Sequence, residues 1–89
     1  MNSPEIKSFI RKHSSLLWHI PEDETEDISH EVLVEYILNY GTMDDIMEMF
    51  SIMGIKEAAR AFKNSTGRRK LNYYPEIHHY FRLFFEKYA

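Results

Sequence analysis

Five histidines and fourteen carboxylates are the groups in this 89-residue chain that could ligate a metal or carry a proton. Two spacings stand out. Glu76 and His79 form a Glu-x-x-His pair, and Asp27 and His30 make a weaker version of it. Such pairs hold two irons in four-helix bundles only when two further carboxylates face them from long neighbouring helices. The helices predicted below are short, and no His-Glu-x-x-His occurs. The sequence therefore predicts no metal ligand set and no cofactor. His13, His19, His30, His78 and His79 read instead as surface or boundary residues.

Nucleophilic chemistry is equally thin. There is no Gly-x-Ser-x-Gly turn to expose a serine. The absence of cysteine removes thiolate nucleophiles, thiolate metal sites and disulfides together. Of the three glycines, Gly41 and Gly54 fall where helices should end, which leaves no glycine-rich loop to cradle a phosphate. The expectation is a protein that is not an enzyme.

The basic residues carry more. Lys56, Arg60 and Lys63 recur at i, i+4 and i+7, which puts them on one helical stripe. Arg68, Arg69 and Lys70 follow in a segment, Asn64 to Asn72, that reads as a polar basic loop. These six are the candidate contacts for a nucleic acid or an acidic partner. The net charge of −3 hides an asymmetry. Residues 1–54 carry three basic and eleven acidic side chains, and residues 55–89 carry eight basic and three acidic. Either the halves attract one another within one fold, or the basic half faces a partner.

The elements that would position these groups are helical. Ser3, Pro4 and Glu5 are a helix start, with Ile6, Phe9 and Ile10 on its inner face and His13 continuing the same spacing. Ser14-Ser15 breaks or restarts it, and Leu16, Leu17 and Trp18 form a short apolar plug ending at Pro21. Glu22 to Asp27 reads EDETED, a solvated loop. A second helix is predicted over Ser29 to Tyr40, with Val32, Leu33, Tyr36, Ile37 and Tyr40 inside. Gly41 is expected to close it in the left-handed conformation. Thr42 caps a third helix, with Asp45 in a capping-box position and Met43, Ile46, Met47, Phe50 and Met53 as its stripe. Gly54 ends that helix, and a fourth buries Ile55, Ala58, Ala59 and Phe62. Pro75 opens a last helix to about Tyr88, with Ile77, Tyr80, Phe81, Phe84 and Phe85 on an aromatic face. No segment alternates with period two, as a half-buried strand would.

The prediction is an all-α fold, a compact array of about five short helices forming one domain over residues 1–89. The residues MNSPEIKSF hold no apolar run like that of a signal peptide, and no apolar stretch approaches the ~20 residues needed to span a bilayer. A cytoplasmic protein without a membrane segment is expected. Helices three and four, joined at Gly54, suggest a helix-turn-helix at first sight. That motif wants a small residue four before the turn glycine and an apolar one six after it. Here those positions hold Phe50 and Arg60, so a plain packed helix pair is the better reading.

The order of these signals resembles a known family. A Ser-Leu-Leu-Trp plug, Ser15 to Trp18, precedes an acidic loop. A helix ending Ile37-Leu38-Asn39-Tyr40-Gly41-Thr42 follows, then one that carries Phe50 and ends at Gly54-Ile55. The basic Gly67-Arg68-Arg69 segment and the aromatic run Tyr80-Phe81-Arg82-Leu83-Phe84-Phe85 close the pattern, over roughly residues 14–86. The chain is in this respect similar to uncharacterised small bacterial helical proteins, many encoded beside nucleotidyltransferase-like toxins of the AbiEii type. The resemblance implies an antitoxin-like role: a protein-interaction module for a toxin-like protein partner, with nucleic acid as an alternative partner. The acidic loop or the basic loop would then be the recognition surface. Toxin chemistry itself is missing, because neither the Arg-x(4–6)-His of HEPN ribonucleases nor the Gly-Ser and Asp-x-Asp of nucleotidyltransferases is present. Self-association through surplus aromatics such as Tyr73, Tyr74 and Tyr88 is a third expectation, with the chain as a homo-oligomer.

Overall fold

Ser3 opens the first helix, α1 (Pro4–Lys12), by accepting the Ile6 N–H on its hydroxyl at 3.3 Å. Ile6, Phe9 and Ile10 form its buried stripe. The computed structural model of the chain describes residues 2–17, 20, 25–64 and 73–89 in full and residues 65–69 by their backbone. After α1 the chain makes a 3-10 turn at Ser14–Leu17, which buries Leu17. Trp18 and residues 22–24 lie outside the described residues. Thr25–Asp27 is a second 3-10 turn with Thr25 buried, so the end of the expected acidic loop is ordered structure. Asn2 holds it: its side-chain amide donates to the carbonyls of Glu26 at 2.8 Å and Ile28 at 3.0 Å.

Helix α2 (His30–Tyr40) starts at Ser29, whose hydroxyl accepts from Val32 N–H at 3.2 Å. Its buried face is Leu33, Val34, Ile37 and Leu38, with the carboxylate of Glu35 buried beside them. The predicted stripe is therefore shifted. Val32 and Tyr36 are half-buried and Tyr40 is exposed. The reason is position: α2 is packed against α3, α4 and the first 3-10 turn at once, so a broad arc of it is covered.

Gly41 is not left-handed, as expected, but extended, at φ −80° and ψ 164°. Thr42 must be extended to cap the next helix, and the chain straightens across both residues. A β-carbon at Gly41 would sit 2.8 Å from the Ile37 carbonyl oxygen, so close approach rather than φ calls for glycine there. Helix α3 (Met43–Met53) has the predicted capping box. Thr42 accepts from Asp45 N–H at 3.2 Å, and Asp45 accepts from Thr42 N–H at 2.9 Å. Gly54 does take a positive φ, 92°, and turns the chain into α4.

Helix α4 (Ile55–Arg69) runs through most of the segment expected to be a loop. Asn64 donates to Glu31 at 3.3 Å, which ties the helix to α2 where the weak helix formers begin. Extending an existing helix costs far less than nucleating one. The flank carrying Glu57, Arg60 and Asn64 bonds α2, and the adjoining Ala58 and Ala61 are fully buried, so α4 meets α2 with methyl groups. Phe62 points the other way, toward Tyr73, His78 and Phe85 of the last segment. Helix α5 (Pro75–Tyr88) then lays Phe81 and Phe85 against Phe50 of α3.

All regular elements among the described residues are helical. The radius of gyration, 12.1 Å, is that expected of one compact unit of this length. Replacing Ala58 by Leu should force α2 and α4 apart. We expect a loss of about 1–3 kcal/mol of stability, read as a fall in thermal midpoint of roughly 4–8 °C per kcal/mol.

Candidate functional site

The stripe read from the sequence exists. Lys56, Arg60 and Lys63 are exposed along α4 and border one shallow depression of about 340 Å³, with Asn64 and Ala89. Arg68 and Arg69 continue the helix, and Lys70 lies outside the described residues. The stripe is not uniformly available to an anion, however. Arg60 grips Glu57 with two hydrogen bonds, Nε to Oε1 at 2.8 Å and Nη2 to Oε2 at 2.6 Å. Its Nη1 lies 3.4 Å from Glu31 Oε2. His30 Nδ1 meets the same Glu57 at 2.5 Å. These side chains form a charged seam between α2 and α4, in which Arg60 already has two carboxylates. The Arg60 hydrogen bonds, and then that of His30, hold the Glu57 carboxyl down to about 2. Glu57 in turn raises Arg60 further. Lys56 has no ion pair among the described residues.

The histidine pairs of the sequence do not assemble. His30 pairs with Glu57 rather than Asp27, and exposed His79 lies 3.5 Å from Arg82. His13, which helical spacing sets on the inner face of α1 and which also read as a surface or boundary residue, is buried between α1 and α3. Its Nδ1 is 3.7 Å from Asp45 and its Nε2 is 3.5 Å from Glu48. Helical spacing could not find this group, because its carboxylates lie on another helix 32 and 35 residues further along.

The largest departure is apolar. Met43 and Met47, assigned to the α3 core stripe, are exposed at 54% and 51%, and Met49 is buried in their place. Tyr80, assigned to the inner face of α5, is half exposed. Met43, Met47 and Phe50 recur at i, i+4 and i+7 on α3, and Tyr80, Phe84 and Tyr88 recur at i, i+4 and i+8 on α5. The two rows meet where Phe50 stacks on Phe84 at 5.7 Å. Tyr80 and Tyr88 flank Phe84 at 6.3 and 4.8 Å. Exposed Tyr40 and Tyr74 meet edge to face at 5.8 Å, tying the end of α2 to the start of α5. The result is a ridge of methionine and aromatic side chains along α3 and α5.

Comparison of the chain with protein-family models, with curated proteins and with solved structures finds no match. No helix among the described residues is long and apolar enough to cross a membrane.

The α2–α4 seam has a pH signature. Glu57 is depressed in the folded state, so its contribution is present above the unfolded carboxylate value near 4.5 and is lost as pH falls toward about 2. Thermal midpoints measured across that window should fall for the parent chain. The fall should be shallower for Glu57→Gln, which is already less stable at pH 7.

Proposed function

We propose that the chain is a non-catalytic cytoplasmic protein-interaction module, antitoxin-like, that binds a basic protein partner of the nucleotidyltransferase-toxin kind. The observation that carries this reading is the α3/α5 ridge. Monomeric proteins seldom leave so many large apolar side chains in one place without a use for them. Met43, Met47, Tyr80, Leu83 and Tyr88 are each about half exposed. With Phe84 they expose on the order of 500 Å² of mostly apolar side chain, a large share of the ~800 Å² per partner of a standard interface. Methionine and tyrosine also suit such surfaces, the one adaptable and the other amphipathic.

Charge selects the partner. Helices α2 and α3 hold no lysine or arginine; Glu31, Asp45 and Glu48 have partners within the chain and Glu35 is buried, which leaves exposed Asp44, next to Met43, to face a partner. A second copy docked with α3 against α3 about a two-fold axis would set the two Asp44 carboxylates against each other. A protein with a basic rim, such as an enzyme that handles nucleic acid, would complement them. Antitoxin-like binding then blocks or positions that enzyme, and the module needs no chemistry of its own.

A second reading is nucleic-acid binding through Lys56, Arg60, Lys63, Arg68, Arg69 and Lys70. It is favoured by the gathering of the first three around one depression. It requires affinity that falls steeply with salt.

The test is co-expression with the product of the neighbouring gene, followed by purification of the complex. Met47→Glu and Tyr80→Glu, at exposed positions, should leave the fold intact and weaken the complex about 30-fold or more, as loss of a central contact does. Lys56→Glu should have little effect. A complex indifferent to both ridge variants but lost in Lys56→Glu would reject the reading. So would a free protein that is a dimer through the ridge.

A further inference from the structure

A second group of side chains, which the interaction reading does not use, sits where the end of α1 meets the start of α3. His13 caps α1 and is nine-tenths buried. Its ring leans on Phe9 with centroids 4.4 Å apart, which fixes its orientation. Nε2 is buried and makes no hydrogen bond, although Glu48 Oε1 lies 3.5 Å away. Nδ1 lies 3.7 Å from Asp45 Oδ1. One imidazole nitrogen and one oxygen from each carboxylate lie within 4.8 Å of one another.

We propose that His13, Asp45 and Glu48 form a three-ligand site for one divalent transition-metal ion, with Zn²⁺ the best match. Asp45 and Glu48 are three residues apart on α3 and so share a face. The capping box occupies Asp45 Oδ2, which accepts from Thr42, and leaves Oδ1 toward the histidine. That hydrogen bond is the orienting partner a metal-bound carboxylate usually has. Ligand atoms about 2.1 Å from a tetrahedral ion sit roughly 3.4 Å apart, so Nε2, 3.5 Å from Glu48 Oε1, is the imidazole ligand. Nδ1, on the other edge of the ring, faces Asp45 Oδ1 at 3.7 Å, and that carboxylate turns toward the ion to complete the set. An imidazole in the set favours Zn²⁺ over Mg²⁺ or Ca²⁺. A groove of about 430 Å³ between α1 and α3, lined in part by Phe9, Lys12, Glu48 and Ile52, opens the Glu48 side of the site to solvent.

Lys12 is the built-in competitor. Its ammonium lies 3.1 Å from both Glu48 oxygens, so a cation already neutralises that carboxylate. Its side chain is 62% exposed and can swing away when an ion enters. The metal would then replace an ammonium at the α1–α3 junction and staple the two helices. Because the ion binds only the folded arrangement, it raises the stability of the fold.

Calorimetric titration of the untagged, metal-free full chain with Zn²⁺, and separately with Mg²⁺, tests this. The expected result is one Zn²⁺ per chain and no comparable uptake of Mg²⁺. Affinity should fall at least tenfold in His13→Gln and Glu48→Gln and rise in Lys12→Ala. The thermal midpoint should rise with Zn²⁺ in the parent chain and not in His13→Gln. If His13→Gln does not fold, the opposite shifts of Glu48→Gln and Lys12→Ala carry the decision. Absence of Zn²⁺ uptake, or uptake unchanged in the variants because other histidines take the ion, overturns the proposal.

Discussion

Ala58 and Ala61 present only methyl groups where α4 meets α2, and the other elements arrange themselves around that approach. The seam from His30 and Glu31 to Glu57 and Arg60 runs alongside it and fixes the register of the two helices. An 89-residue chain has room for one core. Here the core surrounds α2, which is covered by α3, α4 and the 3-10 turn at Ser14–Leu17. Once α2 is enclosed, α3 and α5 can each cover only their inner edges. Phe50, Phe81 and Phe85 fill the space between them, and the next residues around each helix face solvent.

That geometry accounts for the ridge. Aromatic residues are 15% of the chain, more than so small a core can enclose. Phe9, Phe50, Phe62, Tyr73, Phe81 and Phe85 go inside, whereas Tyr40, Tyr74, Tyr80 and Tyr88 remain outside. The outer rings are not scattered. Tyr40 and Tyr74 meet edge to face, and Tyr80 and Tyr88 lie against half-buried Phe84, so the core helps set their positions. A surface of this kind is preorganised, and little side-chain freedom remains to be lost when a partner covers it.

Much of the fold was legible in local chemistry. Ser3, Ser29 and Thr42 cap helices as their types and followers predict, and Pro4 and Pro75 open them. These signals act over three or four residues, so a sequence displays them directly. The errors share another origin. Gly41 is set by the approach of the Ile37 carbonyl, α4 passes the expected stop because Asn64 holds α2, and the carboxylates that meet His13 come from α3. Each depends on a residue of another turn or another helix. The division of Met43, Met47 and Met49 is of the same kind, since periodicity gives an apolar arc but not the side on which the neighbour lies. The basic stripe of Lys56, Arg60 and Lys63 was visible as a pattern, while the carboxylates that engage Arg60 were not.

Oxidative footprinting of the free chain and of its complex with the neighbouring gene product tests most directly whether the α3/α5 ridge is the covered surface. Met43, Met47, Tyr80 and Tyr88 should be oxidised readily in the free chain and protected in the complex, with Met49 slow in both. Protection confined to α4, with the ridge residues oxidised as fast in the complex as alone, would contradict it.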